Sequence, residues 1–277
     1  MPDRMTNCLF CHADAWKRIA VFDQPQAGEN TFGIDDYHRE LWQCTNCGVF
    51  LNHHQHELSG IYQGAYRSAA YETARISRFE KIMSLPFAES DNKQRIRRVV
   101  EYVERRCPKS RKRVLDVGSG MGVFPAGMLN EGWQVTAVDP DEDNLRQLKT
   151  INGGIHCITG YFPNVAIAEP FDLVTFNKVL EHIQPIVETL AGASRFLAPD
   201  GLVYIELPDG ESACQVSPTR AEFFLEHYYA FSVDSIAHLA RRAGMRADLI
   251  ERIKDPSGKF TLYAFLRPMP SGERSAG

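Results

Sequence analysis

The hydrophobic pattern changes period along this chain. Between residues 91 and 107, DNKQRIRRVVEYVERRC sets Ile96, Val99, Val100 and Val103 on one stripe at helical spacing, and Asp91 or Asn92 stands where a cap would open the helix. From Val114 onward, short apolar runs of strand length alternate with helical segments: VLDV, a helix over 123–131, WQVTAVD, a helix over 142–152, IHCIT, FDLVTFN, a helix over 186–196, and GLVYIELP. That alternation predicts an α/β fold with a doubly wound, Rossmann-like parallel sheet. After a helix over 233–243, MRADLIERI and KFTLYAFLRP are both strand-like and KDPSG between them is a turn-forming cluster. The sheet should therefore end in an antiparallel hairpin.

The first part of the chain reads differently. Its chemistry lies in two cysteine pairs, Cys8-Leu-Phe-Cys11 and Cys44-Thr-Asn-Cys47-Gly48. A two-residue gap lets both sulfurs of a pair converge on one ion, and four thiolates complete the closed tetrahedral shell of a structural zinc site. The segment YHRELWQC leads into the second pair as a ribbon strand would. His12, His53, His54 and His56 read as surface or linker residues, and Cys107, Cys157 and Cys214 are isolated. The spacing predicts a zinc-ribbon module over residues 1–58 and a helical linker or lid over 59–90 containing Tyr62, Tyr66 and Tyr71. The α/β domain then fills 91–277.

Composition narrows the class. With 35 acidic and 31 basic side chains the formal charge is −4. An acidic chain lacks the cationic surface that phosphate backbones require, so nucleic acid is a disfavoured partner, and RRCPKSRKR reads as a solvated helix end and loop. No apolar run approaches membrane-spanning length. The N-terminal residues lack the apolar core of a secretory signal, which predicts a cytoplasmic protein with reduced cysteines.

The candidate ligand loop is VLDVGSGMGVF, from Val114 to Phe124: a strand running into Gly118, Ser119, Gly120 and Gly122. Glycines after a buried strand let the backbone turn tightly and approach a ligand. Asp116 stands two residues before the first glycine, and Val123 takes the place of the third glycine of a dinucleotide fingerprint. A pyrophosphate would be repelled by that aspartate, whereas an α-ammonium would be attracted. Asp139, at the tip of the next strand, can accept hydrogen bonds from ribose hydroxyls. Asp139 serves either cofactor, whereas Asp116 and the glycine spacing favour S-adenosylmethionine over a dinucleotide.

With the terminal hairpin, the region from Arg97 to Pro268 resembles the class I S-adenosylmethionine-dependent methyltransferases. FDLVTFNKVLEHI is similar to their fourth strand with its following Glu-His pair, LAPDGLVYIELPD to their fifth strand, and EHYYAFS to a segment common in small-molecule enzymes. The resemblance implies that the 118–122 loop wraps the methionine portion, Asp139 holds the ribose, Phe162 covers the adenine and Asn177 lies near the sulfonium. The zinc module followed by a tyrosine-containing segment resembles bacterial methyltransferases of nucleotide sugars, polysaccharides or natural products. In the deoxysugar C-methyltransferases of that group a Glu-His pair after the fifth strand is the proposed base, and Glu226-His227 matches it. Those enzymes carry a further C-terminal domain, whereas this sequence ends soon after its last strand.

Methyl transfer to a hydroxyl or an acidic carbon needs a proton acceptor, and histidine suits that task near neutral pH. His182 and His227 are the candidates, with Glu226 or Glu181 as orienting partners. Ubiquinone-pathway and small-RNA methyltransferases hold a metal with a Glu-x-x-Glu-His cluster at this place. Here Lys178 replaces the first carboxylate, which predicts metal-independent chemistry with zinc confined to the N-terminal module. The expected activity is O-methylation of a small molecule. The alternatives are an RNA methyltransferase that grips RNA with the zinc ribbon and a non-catalytic adapter that senses S-adenosylmethionine.

Overall fold

The computed structural model describes residues 7–30, 33–56 and 69–270, without the side chains of 69–74. Tyr62 and Tyr66 of the expected lid, and the Tyr71 side chain, lie outside the described residues. In chain order the strands and helices are β1 (Trp16–Phe22), β2 (Arg39–Cys44), β3 (Phe50–His53), α1 (Ala69–Ser84), α2 (Asp91–Arg106), β4 (Arg113–Val117), α3 (Val123–Asn130), β5 (Gln134–Asp139), α4 (Glu142–Ile151), β6 (His156–Thr159), β7 (Phe171–Asn177), α5 (Ile186–Gly192), β8 (Leu197–Pro208), α6 (Gly210–Val216), β9 (Tyr229–Ala230), α7 (Val233–Arg242), β10 (Met245–Lys254) and β11 (Phe260–Pro268).

Seven strands form the main sheet in the order β10-β11-β8-β7-β4-β5-β6. Neighbours from β8 to β6 are parallel, and β11 runs against both β8 and β10. The expected hairpin is thus present, with its second strand inserted next to β8. Strand order reverses beside β4, which opens a crevice at the carboxyl ends of β4 and β7.

Alternation along the strands feeds two cores. Leu115, Val117, Phe176 and Ile205 pack beneath α5 and α7 against Ile186, Leu190, Ile236 and Leu239. Val114, Leu173, Leu202 and Phe265 face α2 and α3 through Ile96, Val99, Val103 and Met128 on the other side. The stripe expected on α2 is therefore its buried face. Its cap differs: the Ser90 hydroxyl accepts from the Lys93 backbone N–H, while the Asp91 carboxylate accepts from Ser257 N–H and Oγ–H in the β10–β11 turn. Asp91 is thus the first helical residue, tied to the hairpin.

The N-terminal sheet has the order β1-β2-β3-β9. Its last strand comes from beyond residue 200, so the cysteine-bearing segment and the α/β domain share a sheet. Phe10 sits edge-on to Tyr229 and Phe231, with ring centroids at 5.3 and 5.8 Å. Cys8, Cys44 and Cys47 are buried in the same core as β7 and β8. The Ser232 hydroxyl, which also caps α7, donates to the Cys47 carbonyl. His54, expected in a linker, is instead buried enough that both its ring nitrogens lack partners, and it stacks between Tyr228 and His56.

Candidate active site

Strand β4 delivers Asp116 to the crevice, and the chain then turns through Gly118, Gly120 and Gly122 at φ of 69°, 51° and 77°. Two of these positions could not carry a side chain for a second reason. A Cβ on Gly118 would lie 2.6 Å from Val179 Cγ2, and one on Gly122 would lie 2.3 Å from Leu148 Cδ1. The loop is therefore pressed against the turn after β7 on one side and against α4 on the other.

A cavity of about 420 Å³ opens beside this loop, lined by Asp116, Gly118, Ser119 and Asn177 on the sheet side and by Arg78 and Ser257 opposite them. Asp116 accepts from Thr175 Oγ1 at 2.6 Å and from Asn177 Nδ2 at 2.8 Å. Burial raises its pKa to about 7. The Ser119 hydroxyl and the Asn177 amide oxygen are buried with no hydrogen-bond partner. Buried polar atoms without partners are costly, so this wall is built to meet a polar ligand. Arg78 carried no motif; only the fold brings it to the cavity.

Asp139 lies at the tip of β5. Its carboxylate accepts from the backbone N–H groups of Gly120 at 2.7 Å and Asp141 at 2.9 Å, and from Asn144 Nδ2 at 3.2 Å. Burial raises its pKa above the usual carboxylate range. Phe162 packs against Phe176 and Phe196, with ring centroids at 5.5 and 5.2 Å. That contact places its ring in the core under α5.

The remaining candidates gather after β7. Glu181 and His182 lie in a short 3-10 turn, Leu180–His182. His227 reaches them from the loop before β9, with the two imidazole centroids 4.8 Å apart. Among the described residues, ligand atoms of Glu181, His182 and His227 lie within 4.8 Å of one another. The His182 Nδ1–H donates to the Glu226 carbonyl at 2.8 Å, and the His227 Nδ1–H to the Glu222 carbonyl at 3.0 Å. Burial lowers the His227 pKa to about 3, with the neighbouring His182 adding to the effect. Burial raises the pKa of both Glu181 and Glu226, and one carboxylate oxygen of each is buried without a partner.

Lys178 adopts a left-handed φ of 58° at the end of β7. Its ammonium donates to Thr261 Oγ1 at 2.5 Å and to the Leu207 carbonyl at 3.4 Å, and burial lowers its pKa. Below it, Glu206 takes a bidentate ion pair from Arg95 and a third contact from Arg98 at 3.2 Å. Burial opposes ionisation of Glu206, yet the Arg95 charge prevails and holds the carboxyl well below its ordinary range.

The loop with Glu226 and His227 is held by the N-terminal sheet. Asn52 of β3 donates through Nδ2 to the carbonyls of Phe223, Phe224 and His227 at 3.0, 3.1 and 2.7 Å. Its own amide oxygen accepts from Arg39 Nη1 at 3.1 Å. Arg39 forms a fully buried ion pair with Glu29 at 3.2 Å, and the Glu29 carboxylate also accepts the Leu225 N–H at 2.6 Å. No spacing or composition signal marks these three residues, because one polar position in a strand or loop resembles any other.

Cys8, Cys11, Cys44 and Cys47 form the other cluster. Their sulfurs lie within 4.8 Å of one another, with Cys8–Cys47 and Cys11–Cys44 each at 3.6 Å. A zinc–sulfur distance of about 2.3 Å gives a tetrahedron with edges of roughly 3.8 Å. Backbone bonds from His12 N–H to the Cys8 carbonyl and from Gly48 N–H to the Cys44 carbonyl close the two knuckles. The donor set thus fits a tetrahedral thiolate ion.

Residues 89–250 match the family profile described as a methyltransferase domain, and the chain belongs to that family. It is similar to the C-methyltransferase NovU of Streptomyces niveus, at 24% identity over 93% of this chain and 60% of that protein. It also resembles the ubiquinone biosynthesis O-methyltransferase of Caulobacter sp. (strain K31), at 36% identity over 36% of this chain and 42% of the relative. The chain thus spans about 60% or less of the length of these relatives. Among solved structures, the 1,6-didemethyltoxoflavin-N1-methyltransferase of Burkholderia thailandensis, with its substrate and S-adenosylhomocysteine bound, superimposes with a TM-score of 0.55 at 19% identity. The match covers 82% of this chain and 97% of that one. The fold is that of the S-adenosylmethionine-dependent methyltransferases.

Two outcomes follow from the geometry. Truncating Asn52 to alanine leaves Arg39 and three loop carbonyls short of a partner and should cost about 2–4 kcal/mol in denaturant unfolding; an unchanged midpoint would remove the clamp. For a ligand with an α-ammonium, only ionised Asp116 attracts it. With a pKa of about 7 in the empty site, affinity should be highest just above 7 and fall as pH drops below it, by up to tenfold per unit. Asp116→Asn should weaken binding and flatten this profile. Calorimetric titration of S-adenosylmethionine across the range checks it, and a flat wild-type profile would contradict it.

Proposed function

We propose that this protein is a cytoplasmic S-adenosylmethionine-dependent methyltransferase of small molecules: a nucleotide sugar, a polysaccharide precursor or a natural product. The observation that carries the proposal is the cavity lined by Asp116, Ser119 and Asn177, where the Ser119 hydroxyl and the Asn177 amide oxygen are buried without partners; the turn after Asn177 carries His182, whose ring lies 4.8 Å from that of His227. Bound there, S-adenosylmethionine supplies an electrophilic methyl group. Asp116 takes its α-ammonium, Arg78 its carboxylate, Asp139 its ribose hydroxyls, and the 118–122 backbone its methionine chain. Asn177 stands near the sulfonium, and Phe162 borders the adenine end from its packed position. Because the methyl is already activated, the protein's main task is to align the acceptor and exclude water.

The acceptor proton goes to His182, beside which the Glu181 and Glu226 carboxyls lie, while burial keeps the neighbouring His227 ring neutral. Each ring gives its Nδ1–H to a backbone carbonyl, so each carries its acceptor lone pair on Nε2. Glu181 and Glu226 supply the negative charge that offsets an imidazolium. An oxygen acceptor fits this arrangement. Methylation at carbon is the second reading, favoured by the match to NovU over 93% of this chain.

Zinc in the four-cysteine cluster stabilises the N-terminal module, α1 borders the cofactor cavity through Arg78 and Ile82, and the α/β domain carries the transfer chemistry. No helix among the described residues is long and apolar enough to cross a membrane. The formal charge of −4 disfavours an RNA substrate.

Incubation of the protein and methyl-labelled S-adenosylmethionine with host extract should place label in the small-molecule fraction, and His182→Gln should lower that transfer by ~10² or more. Label in RNA or protein would overturn the substrate class. Full transfer by His182→Gln would remove the base.

A further inference from the structure

We propose that His54 is an acceptor-recognition residue, through which the N-terminal module hydrogen-bonds a hydroxyl of the substrate away from the atom that is methylated. The substrate is then a hydroxylated molecule, with a hydroxyl beyond the methylated position. This inference rests on the methyl-transfer reading above and narrows its substrate class.

The first ground is a buried ring with nothing to bond. Both His54 nitrogens are buried and neither has a hydrogen-bond partner. Burial, with His56 beside it, lowers the pKa to about 4, so near neutral pH the ring is uncharged and carries one N–H donor and one lone pair. An apolar ring would fill this space without leaving either unpaired, so a histidine here destabilises the fold until a polar partner arrives. A hydroxyl both donates and accepts, and it matches either nitrogen.

Orientation is the second ground. Tyr228 and His56 stack on the imidazole with ring centroids 5.9 and 5.6 Å away. That leaves the edge of the ring, where both nitrogens lie, as its contact surface.

The third ground is location. Strand β3 pairs with β9 in the register Phe50↔Ala230 and Leu51↔Tyr229, and the Asn52 N–H continues it to the Tyr228 carbonyl at 3.0 Å. Carried two residues further, that register sets His54 opposite Glu226. Glu226 has a buried carboxylate oxygen of its own without a donor, and its carbonyl holds the His182 ring. Tyr228, stacked on His54, gives its N–H to the Glu181 carbonyl at 2.8 Å. His54 is thus one ring away from the turn that carries the proposed base. It takes no part in proton transfer; it reads the acceptor.

The test measures label transfer from methyl-labelled S-adenosylmethionine to the small-molecule fraction of host extract, over a dilution series of that fraction. His54→Phe keeps a stacked ring and removes both nitrogens. It should raise the amount of fraction needed for half-maximal transfer by roughly tenfold or more, with S-adenosylmethionine affinity unchanged and the unfolding midpoint the same or higher. His54→Gln, which keeps a donor and an acceptor, should recover most of that shift, whereas His54→Leu should not. A His54→Phe variant that half-saturates like the wild type would overturn the inference and leave the methyltransferase reading standing. So would a loss that lowers cofactor affinity and the unfolding midpoint together, since that marks a purely structural ring. A labelled product with no hydroxyl beyond the methylated position would also overturn it. No transfer by the wild type to the small-molecule fraction would overturn the methyl-transfer reading and this inference together.

Discussion

Asn52 is the polar centre of the junction between the two parts of this molecule. Asn52 spends its whole hydrogen-bonding capacity between them, accepting from Arg39 on the N-terminal side and donating to three carbonyls of the loop that ends in His227. The loop has little regular structure, only a 3-10 turn at Ala221–Phe223 before β9. Its conformation is therefore set from outside, by Asn52, by the Glu29 carboxylate on Leu225 N–H, and by the pairing of β3 with β9. Because Arg39 and Glu29 are buried as a pair, losing either would leave an uncompensated charge, so the clamp holds as a unit.

This constraint gives the cysteine module a role beyond stability. The second knuckle leads directly into β3, and its Gly48 is pressed against Ser232, where a Cβ would come within 3.0 Å. Position therefore passes from the knuckle through β3 to the loop, and from the loop to the histidines. On the other side, the glycine loop is fixed by Asp139 and by Val179. The cofactor wall and the histidine pair are thus set by different parts of the chain that meet at the turn after β7.

The main sheet was legible because alternation and glycine spacing are local signals. The strands from VLDV to KFTLYAFLRP fall where the pattern placed them, and Asp116, Ser119 and Asn177 line one cavity. The cysteine cluster was legible for the same reason, since each pair is a local motif. What escaped was long-range. Strand β9 is two residues long and owes its existence to β3, more than 170 positions earlier. Asn52, Arg39 and Glu29 sit in segments with no motif. Nothing local shows His227 folded back onto Glu181 and His182. His54 read as linker because nothing local announces burial between Tyr228 and His56.

The central claim is that the N-terminal module holds the loop from Glu222 to Ala230 in register with the histidine site. Hydrogen–deuterium exchange before and after chelation of the ion proposed for the four cysteines tests it most directly. Faster exchange is expected at 222–230, where Leu225, His227 and Tyr228 amides are bonded, with β4 and the glycine loop still protected. Unchanged exchange at 222–230 after complete loss of the ion would contradict it.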